Sequence, residues 1–192
     1  TVPTCNNVTV VTSTPGLLPG EASLVRMTMA INEPDFAFLP WDIPLEEWPE
    51  DLVVALPRGI SRHIVRFVRI NQVVYAVKEV EELFADREYG LLFDLQRLGV
   101  PTVEPIGVVA GRTDTAGEDL PAILITKHLE FSLPYRALFG SSLRLDTAGR
   151  LLDALAVLIV RLHLVGFSWN DCSLSNTLFR RDAGAFAAYL VD

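Results

Sequence analysis

Asp171 and Asn176 stand five positions apart in the polar stretch W-N-D-C-S-L-S-N (169–176), wedged between an apolar run, 151–166, and the apolar pair Leu178-Phe179. Both side chains carry hard oxygens, and neither residue type favours a helix or strand interior. Asn176 leads into a strand-like run whose hairpin partner ends at Asp192, so a hairpin brings the Asn176 carbonyl and the Asp192 carboxylate close together. Such a pair suits Mg2+, which keeps several waters and takes one or two protein carboxylates along with substrate phosphates. Asp171 then has the chemistry to accept a hydroxyl proton or to orient the hydroxyl. The competing reading is structural: Asp171 caps a turn and Asn176 satisfies loop backbone.

A second pair lies upstream. Lys78 interrupts the apolar strand V-V-Y-A-V-K-E-V (73–80), and Glu88 falls in the helix that follows. Taken singly, Lys78 reads as a strand lysine with its amine in solvent, and Glu88 as a solvated helix carboxylate. Taken together, an inward lysine needs a nearby carboxylate, because an unpaired buried ammonium is costly, and Glu88 is placed to supply it.

The elements around these residues follow from periodicity. D-L-V-V-A-L-P (51–57), H-I-V-R-F-V-R-I (63–70) and 73–80 read as strands, with I-N-Q as the turn between the last two. A helix is expected over 81–98, where Leu83, Phe84, Leu91, Leu92, Leu95 and Leu98 recur at helical spacing and Gly99 stops it. Strands at 103–110 and 122–129 are joined by a polar loop, G-R-T-D-T-A-G-E-D. Beyond Glu130 the pattern turns helical: a short helix over 134–139, then a long one over 147–165 with Asp146 as N-cap and Gly166 as stop. A strand from Thr177 to Phe179, the turn R-R-D-A-G-A and the strand F-A-A-Y-L-V close the chain. Residues 1–38, rich in Thr, Pro, Gly and Asn, predict a loosely packed arm or one edge strand. L-P-W-D-I-P-L-E-E-W-P-E (39–50) predicts a segment wrapped onto a domain with its two tryptophan rings buried. The expected division is an arm, 1–38, a mostly antiparallel β lobe with one main helix, 39–129, and a helical lobe with the loop and hairpin, 130–192. The class is α+β.

Composition narrows the partners. Half of the 192 residues are apolar, enough for one or two small domains with cores. The net charge of −8, without a basic block, argues against nucleic acid and anionic membrane surfaces, although a local basic patch still accommodates a phosphorylated ligand. Cys5 and Cys172 build no disulfide framework, and with His63, His128 and His163 they make no zinc spacing. The setting is read as reducing and cytoplasmic. The first residues lack the features of a signal peptide, and 151–165, which carries Asp153, Arg161 and His163, is too short and too charged for a membrane span.

The order Ala-x-Lys strand, helix Glu, strands, apolar helix, Asp-x-x-x-x-Asn, hairpin, Asp resembles the protein-kinase-like fold, in its lipopolysaccharide-kinase-like and small-molecule-kinase branch. L-P-W…P-L-E-E-W and R-G-I-S-R-H-I-V-R-F-V also look like a bacterial family known mainly as a domain of unknown function. The resemblance spans about residues 39 to 192 and implies an antiparallel N-lobe followed by the first part of a helical C-lobe, truncated at Asp192. It implies ATP and Mg2+ as cofactors and an unidentified hydroxyl acceptor as partner. Lys78 in Y-A-V-K matches the lysine that holds the α- and β-phosphates, and Glu88 in R-E-Y-G-L-L the glutamate that pairs with it. Lys127, His128 and Leu129, in I-T-K-H-L, match the hinge that meets adenine through backbone groups. Asp171 matches the catalytic-loop acid; Asn176 and Asp192 match the metal ligands.

The departures are specific. The phosphate loop, usually with three glycines, is here R-G-I-S-R-H with Gly59 alone, so phosphate contact falls to Ser61, Arg62 or His63. The alternative is that Arg62 and His63 are simply exposed at a turn. Trp169-Asn170 replaces the usual basic residue before the catalytic acid, which argues against a regulated protein kinase. Cys172 reads as a small packing residue, since no neighbouring cation in the sequence activates it. Two functions follow: an ATP-dependent phosphotransferase acting on a small-molecule, sugar or lipid-linked hydroxyl, or a non-catalytic nucleotide-binding or protein-interaction module.

Overall fold

The structure is a computed structural model that describes residues 7–13, 24–30, 36–56, 62–139 and 144–192. The described residues within 1–55, 63–89 and 105–128 form one compact unit, and those within 56–62, 90–104 and 129–192 form a second.

The first unit is built on a sheet of β1 (Asn7–Ser13), β2 (Leu24–Ala30), β3 (Val65–Ile70), β4 (Val73–Val80), β5 (Glu104–Ala110) and β8 (Ala122–Lys127), while β6 (Arg112–Thr113) and β7 (Asp119–Leu120) make a separate small hairpin. The strand order is β1-β2-β5-β8-β4-β3. The β3–β4 hairpin closes on Asn71 and Gln72, whose φ values of 50° and 69° give the two-residue turn whose twist suits paired strands. Alternation along β4 sends Tyr75, Val77 and Glu79 to one face and Ala76, Lys78 and Val80 to the other. On the first face, Phe36, Leu39, Trp41, Leu45 and Trp48 cover Val68, Tyr75, Val77, Ile123 and Ile125. On the second, Ala85 and Tyr89 of α1 (Glu82–Arg97) pack against Val80, Val108, Ala110, Ala122 and Leu124.

The tryptophan segment lies on the sheet as its composition implies. Trp41 and Trp48 meet edge to face with centroids 5.5 Å apart. Their buried indole N–H groups donate to the Phe36 carbonyl at 3.0 Å and the Ile43 carbonyl at 3.1 Å, so the rings gain burial without losing a polar group.

Four expectations need correction. Residues 24–30 are not an arm: L-V-R-M-T-M-A is an interior strand between β1 and β5, and Val25 and Met27 alternate into the core. Only β1 is an edge. Residues 51–56 form a turn at 51–52, a single bridge at Val53 and irregular chain rather than a strand, joined to β3 by the Val53–Val68 bridge and the Val54 N–H donating to the Phe67 carbonyl at 2.7 Å. Pro49 and Pro57 bracket that stretch, and proline removes ladder donors. The polar loop 111–119 is in part a hairpin, β6–β7, and its Arg112 is buried, 1% exposed. Finally, the long helix begins at Leu145, with Arg144 rather than Asp146 as its N-cap. Asp146 sits in the first turn, where a carboxylate favours the helix dipole, and accepts from Arg144 Nε at 3.2 Å.

In the second unit, α3 (Leu145–Leu164) buries Leu151, Ala154, Leu158 and Leu162 against Phe179, Ala188 and Leu190. Each buried leucine of that stripe is worth roughly 1.5–3 kcal/mol of transfer energy. The strands of this core are β9 (Ser132–Pro134), β10 (Thr177–Asp182) and β11 (Ala185–Leu190), in the order β11-β10-β9, with α2 (Tyr135–Phe139) following β9. Gly166, at φ 82°, ends α3: its N–H reaches the His163 carbonyl and the Phe167 N–H the Leu162 carbonyl, a Schellman closure. Gly99, at φ 75°, ends α1 in the same way.

Candidate active site

The first cluster lies in the first unit. Lys78 stands on the α1 face of β4, opposite Val65 on β3 and Leu124 on β8. On α1, Ala85, Tyr89 and Leu92 face the core, so Glu88 lies at the border of that apolar face. Lys78 Nζ donates to Glu88 Oε1 at 2.8 Å and to Oε2 at 2.7 Å. The two side chains are only 12% and 14% exposed. Both carboxylate oxygens are thereby held on one ammonium in a partly desolvated setting, where charge-assisted bonds are strong. The chain has 14 arginines and two lysines, so a compact ammonium at this position is not a reflection of general lysine usage.

The second cluster lies in the second unit. After the Gly166 stop, a one-turn 3-10 helix (Leu174–Asn176) delivers Asn176 to the start of β10. Its Nδ2 donates to the Asp171 backbone carbonyl at 3.2 Å and to Asp171 Oδ2 at 3.3 Å. The amide nitrogen is thus engaged, and Oδ1, the atom a cation takes, remains. Asp171 is exposed, and so is Cys172, which corrects its reading as a packing residue. The β10–β11 hairpin turns on Ala183 and Gly184, at φ 46° and 87°, and pairs Thr177 with Leu190. One step beyond, the Val191 N–H donates to the Asn176 carbonyl at 3.1 Å, which sets Asp192 at the same hairpin end as Asn176. Among the described residues no group of three or more His, Cys, Asp or Glu gathers. An oxygen pair of one amide and one carboxylate still fits Mg2+, whose remaining positions go to waters and phosphate oxygens.

The other expected positions are less closely tied together. Gly59 and Ser61 lie outside the described residues; Arg62 and His63 are exposed. Lys127 closes β8 and is exposed. The His128 N–H donates to the Val74 carbonyl at 2.9 Å, and its ring meets Phe67 at 5.3 Å. The Leu129 carbonyl accepts from the Ser132 N–H at 3.3 Å and from Ser132 Oγ at 2.6 Å. Two backbone groups of the expected hinge, the His128 N–H and the Leu129 carbonyl, are therefore already bonded within the protein.

Two networks have no counterpart in the sequence reading. Arg112 donates through Nε to the Trp41 carbonyl at 2.9 Å, through Nη1 to Glu79 Oε1 at 2.8 Å and the Pro121 carbonyl at 2.7 Å, and through Nη2 to the Ile43 carbonyl at 2.6 Å. Burial pulls this guanidinium below its ordinary pKa, while the hydrogen bond and charge of Glu79 oppose the shift. On the hairpin, Arg180 grips both Asp182 oxygens at 2.9 and 3.1 Å and the Tyr189 hydroxyl at 2.6 Å. The hydrogen bonds from Arg180 and then Tyr189 hold Asp182 below the usual carboxylate range; desolvation first, then the bond to Asp182, raises Tyr189. The R-R-D…Y spacing across a hairpin is the local signal that announces the second network; the first has none.

The α+β architecture, with its mostly antiparallel sheet and one main helix against it, is of the kinase-like class. Residues 62–192 match the family model described as the lipopolysaccharide kinase (Kdo/WaaP) family, and the chain belongs to that family. No curated protein matches the chain. Among the described residues no helix is long and apolar enough to cross a membrane.

Proposed function

We propose that the chain carries an ATP-dependent phosphotransferase acting on a hydroxyl of a small molecule, a sugar or a lipid-linked saccharide. The observation that carries this reading is the two-pronged Lys78–Glu88 pair, a desolvated ammonium held in one direction. Family membership supports a saccharide or lipid-linked acceptor. Lys78 holds the α- and β-phosphates, with Glu88 fixing its aim. Asn176 and Asp192 would hold Mg2+, which when bound neutralises phosphate charge. Asp171 accepts the acceptor's hydroxyl proton as that oxygen bonds to the γ-phosphorus. The bond from phosphorus to the β,γ-bridging oxygen breaks, and ADP leaves with the electron pair. The Asn176 Nδ2 bonds keep the Asp171 carboxylate oriented toward that task. Use of ATP accords with a cytoplasmic setting.

The test is Asp171→Ala, assayed for label transfer from γ-labelled ATP to lipopolysaccharide and, separately, for nucleotide binding. Transfer is expected to fall about 10²–10⁴-fold, the usual worth of a positioned acid or base, with binding barely changed. Equal loss of both would remove Asp171 from the role given it. The second reading, a nucleotide-binding module without transfer, is favoured by the single glycine at 59 and by Trp169-Asn170; it predicts binding in the wild type and no transfer to any acceptor.

A further inference from the structure

Glu79 follows Lys78 on β4 and points to the opposite face of the sheet. There it is gripped by Arg112 Nη1 at 2.8 Å and by the Leu45 N–H at 3.1 Å, both on Oε1. Its own N–H donates to the Ile64 carbonyl at 3.0 Å. Arg112 is held in turn by the Trp41, Ile43 and Pro121 carbonyls, with its side chain 0% exposed. The Glu79 carboxylate next to the lysine is thus held by β6 and the 41–45 segment, while Ile64 bonds the Glu79 backbone and the Trp41, Ile43 and Pro121 carbonyls hold Arg112. The family match begins at residue 62, so it covers Glu79 and Arg112 but not the 41–45 segment.

We infer that Arg112 is a positioning residue for Lys78, acting through Glu79: the clamp on one face of β4 sets the strand's rotation about its own axis and so aims the lysine on the other. The physical reason is the pleat. Adjacent side chains on a strand leave the backbone in opposite directions, so a twist of β4 that frees Glu79 swings Lys78 away from Glu88. A free lysine side chain has several soft torsions; the clamp removes the backbone's share of that freedom and leaves Glu88 to fix the rest. The 36–48 segment, whose tryptophans bury it on the sheet, is then part of the device, since its carbonyls orient Arg112. The inference rests on the proposed role of Lys78 in nucleotide binding, but the clamp itself is testable without any nucleotide.

Because Lys78 and Lys127 are the chain's two lysines, lysine labelled with nitrogen-15 gives two ammonium signals, and Lys127→Arg assigns them. The Lys78 signal, slowed in exchange by Glu88, is expected to shift and broaden in Arg112→Lys and in Glu79→Gln. It is expected to stay in place in Gly107→Ala, which weakens the same sheet two strands from β4 without touching the clamp. ATP affinity should fall about tenfold in the first two variants at temperatures where they are folded, the scale of a misaimed contact. Rescue belongs to the mildest change, so Glu79→Gln, which keeps an acceptor oxygen for Arg112, should lose less than Arg112→Lys. If Arg112→Lys does not fold, Glu79→Gln alone decides the matter. An unmoved Lys78 signal in folded Glu79→Gln, or an equal shift in Gly107→Ala, overturns the clamp. A moved signal with no ATP binding in the wild type instead leaves the clamp standing and removes the nucleotide reading.

Discussion

At the scale of single residues, charge burial sets the largest effects. Glu88→Ala leaves the Lys78 ammonium 12% exposed in the wild-type setting without its carboxylate, and breaking such a pair costs about 3 kcal/mol, the low end for fully buried pairs. Adding Lys78→Ala to that variant should return much of the loss, because the ammonium that lost the Glu88 carboxylate is then gone as well; urea unfolding of the cycle measures the coupling. A cycle with purely additive losses would mean that the two charges are solvated independently. Asp182 acts in the opposite pH direction from a buried base. Its folded-state pKa is depressed by Arg180 and Tyr189, so its contribution is present above the unfolded carboxylate value of about 3.9 and is lost as pH falls through the lower folded value. Thermal melts from pH 6 down to the acid range should show a steeper loss for the wild type than for Asp182→Asn.

At the scale of elements, glycine marks the seams. A Cβ on Gly107 would lie 2.6 Å from the Thr28 carbonyl oxygen and 2.8 Å from Met29 Cγ, so β5 could not approach β2 as it does. Gly107→Ala should therefore cost about 1–3 kcal/mol by overpacking, read by urea unfolding. Gly99 and Gly166 differ: a Cβ on either would meet nothing within 4 Å, but both need positive φ. Each alanine there should cost only the torsional penalty, about 1 kcal/mol. The two costs separate close approach from backbone conformation. The Lys78 strand and Glu88 helix were legible because their signals are local: alternation over 73–80, helical spacing over 81–98, and a glycine stop. The strand at 24–30 has the same alternation, but the Pro- and Gly-rich residues around it obscure the pattern. Arg112 was not legible, because its carbonyl partners Trp41 and Ile43 lie 71 and 69 positions away.

At the scale of the whole molecule, ligand linkage reads the candidate site. With Mg2+ and ATP at a hundredfold excess over Kd, binding should raise stability by about 2.7 kcal/mol. For a chain of this size that is a rise in Tm of about 5–10 °C. Lys78→Ala and Asp192→Ala should each abolish the Mg2+-dependent part; a rise that survives both places the nucleotide elsewhere. The sequence by itself determined the α+β class, the likeness to kinases, and the order in which Lys78, Glu88, Asp171, Asn176 and Asp192 appear, because periodicity, helix stops and motif spacing are properties of near neighbours. Tertiary structure alone decided three further things: that Lys78 meets both oxygens of Glu88, that the tryptophan segment seals the opposite face of the same sheet, and that Arg112 ties that seal to Glu79. Those depend on which distant carbonyls and carboxylates reach a buried cation. That choice is set by desolvation in the folded core, where an unpaired charge is too costly to remain.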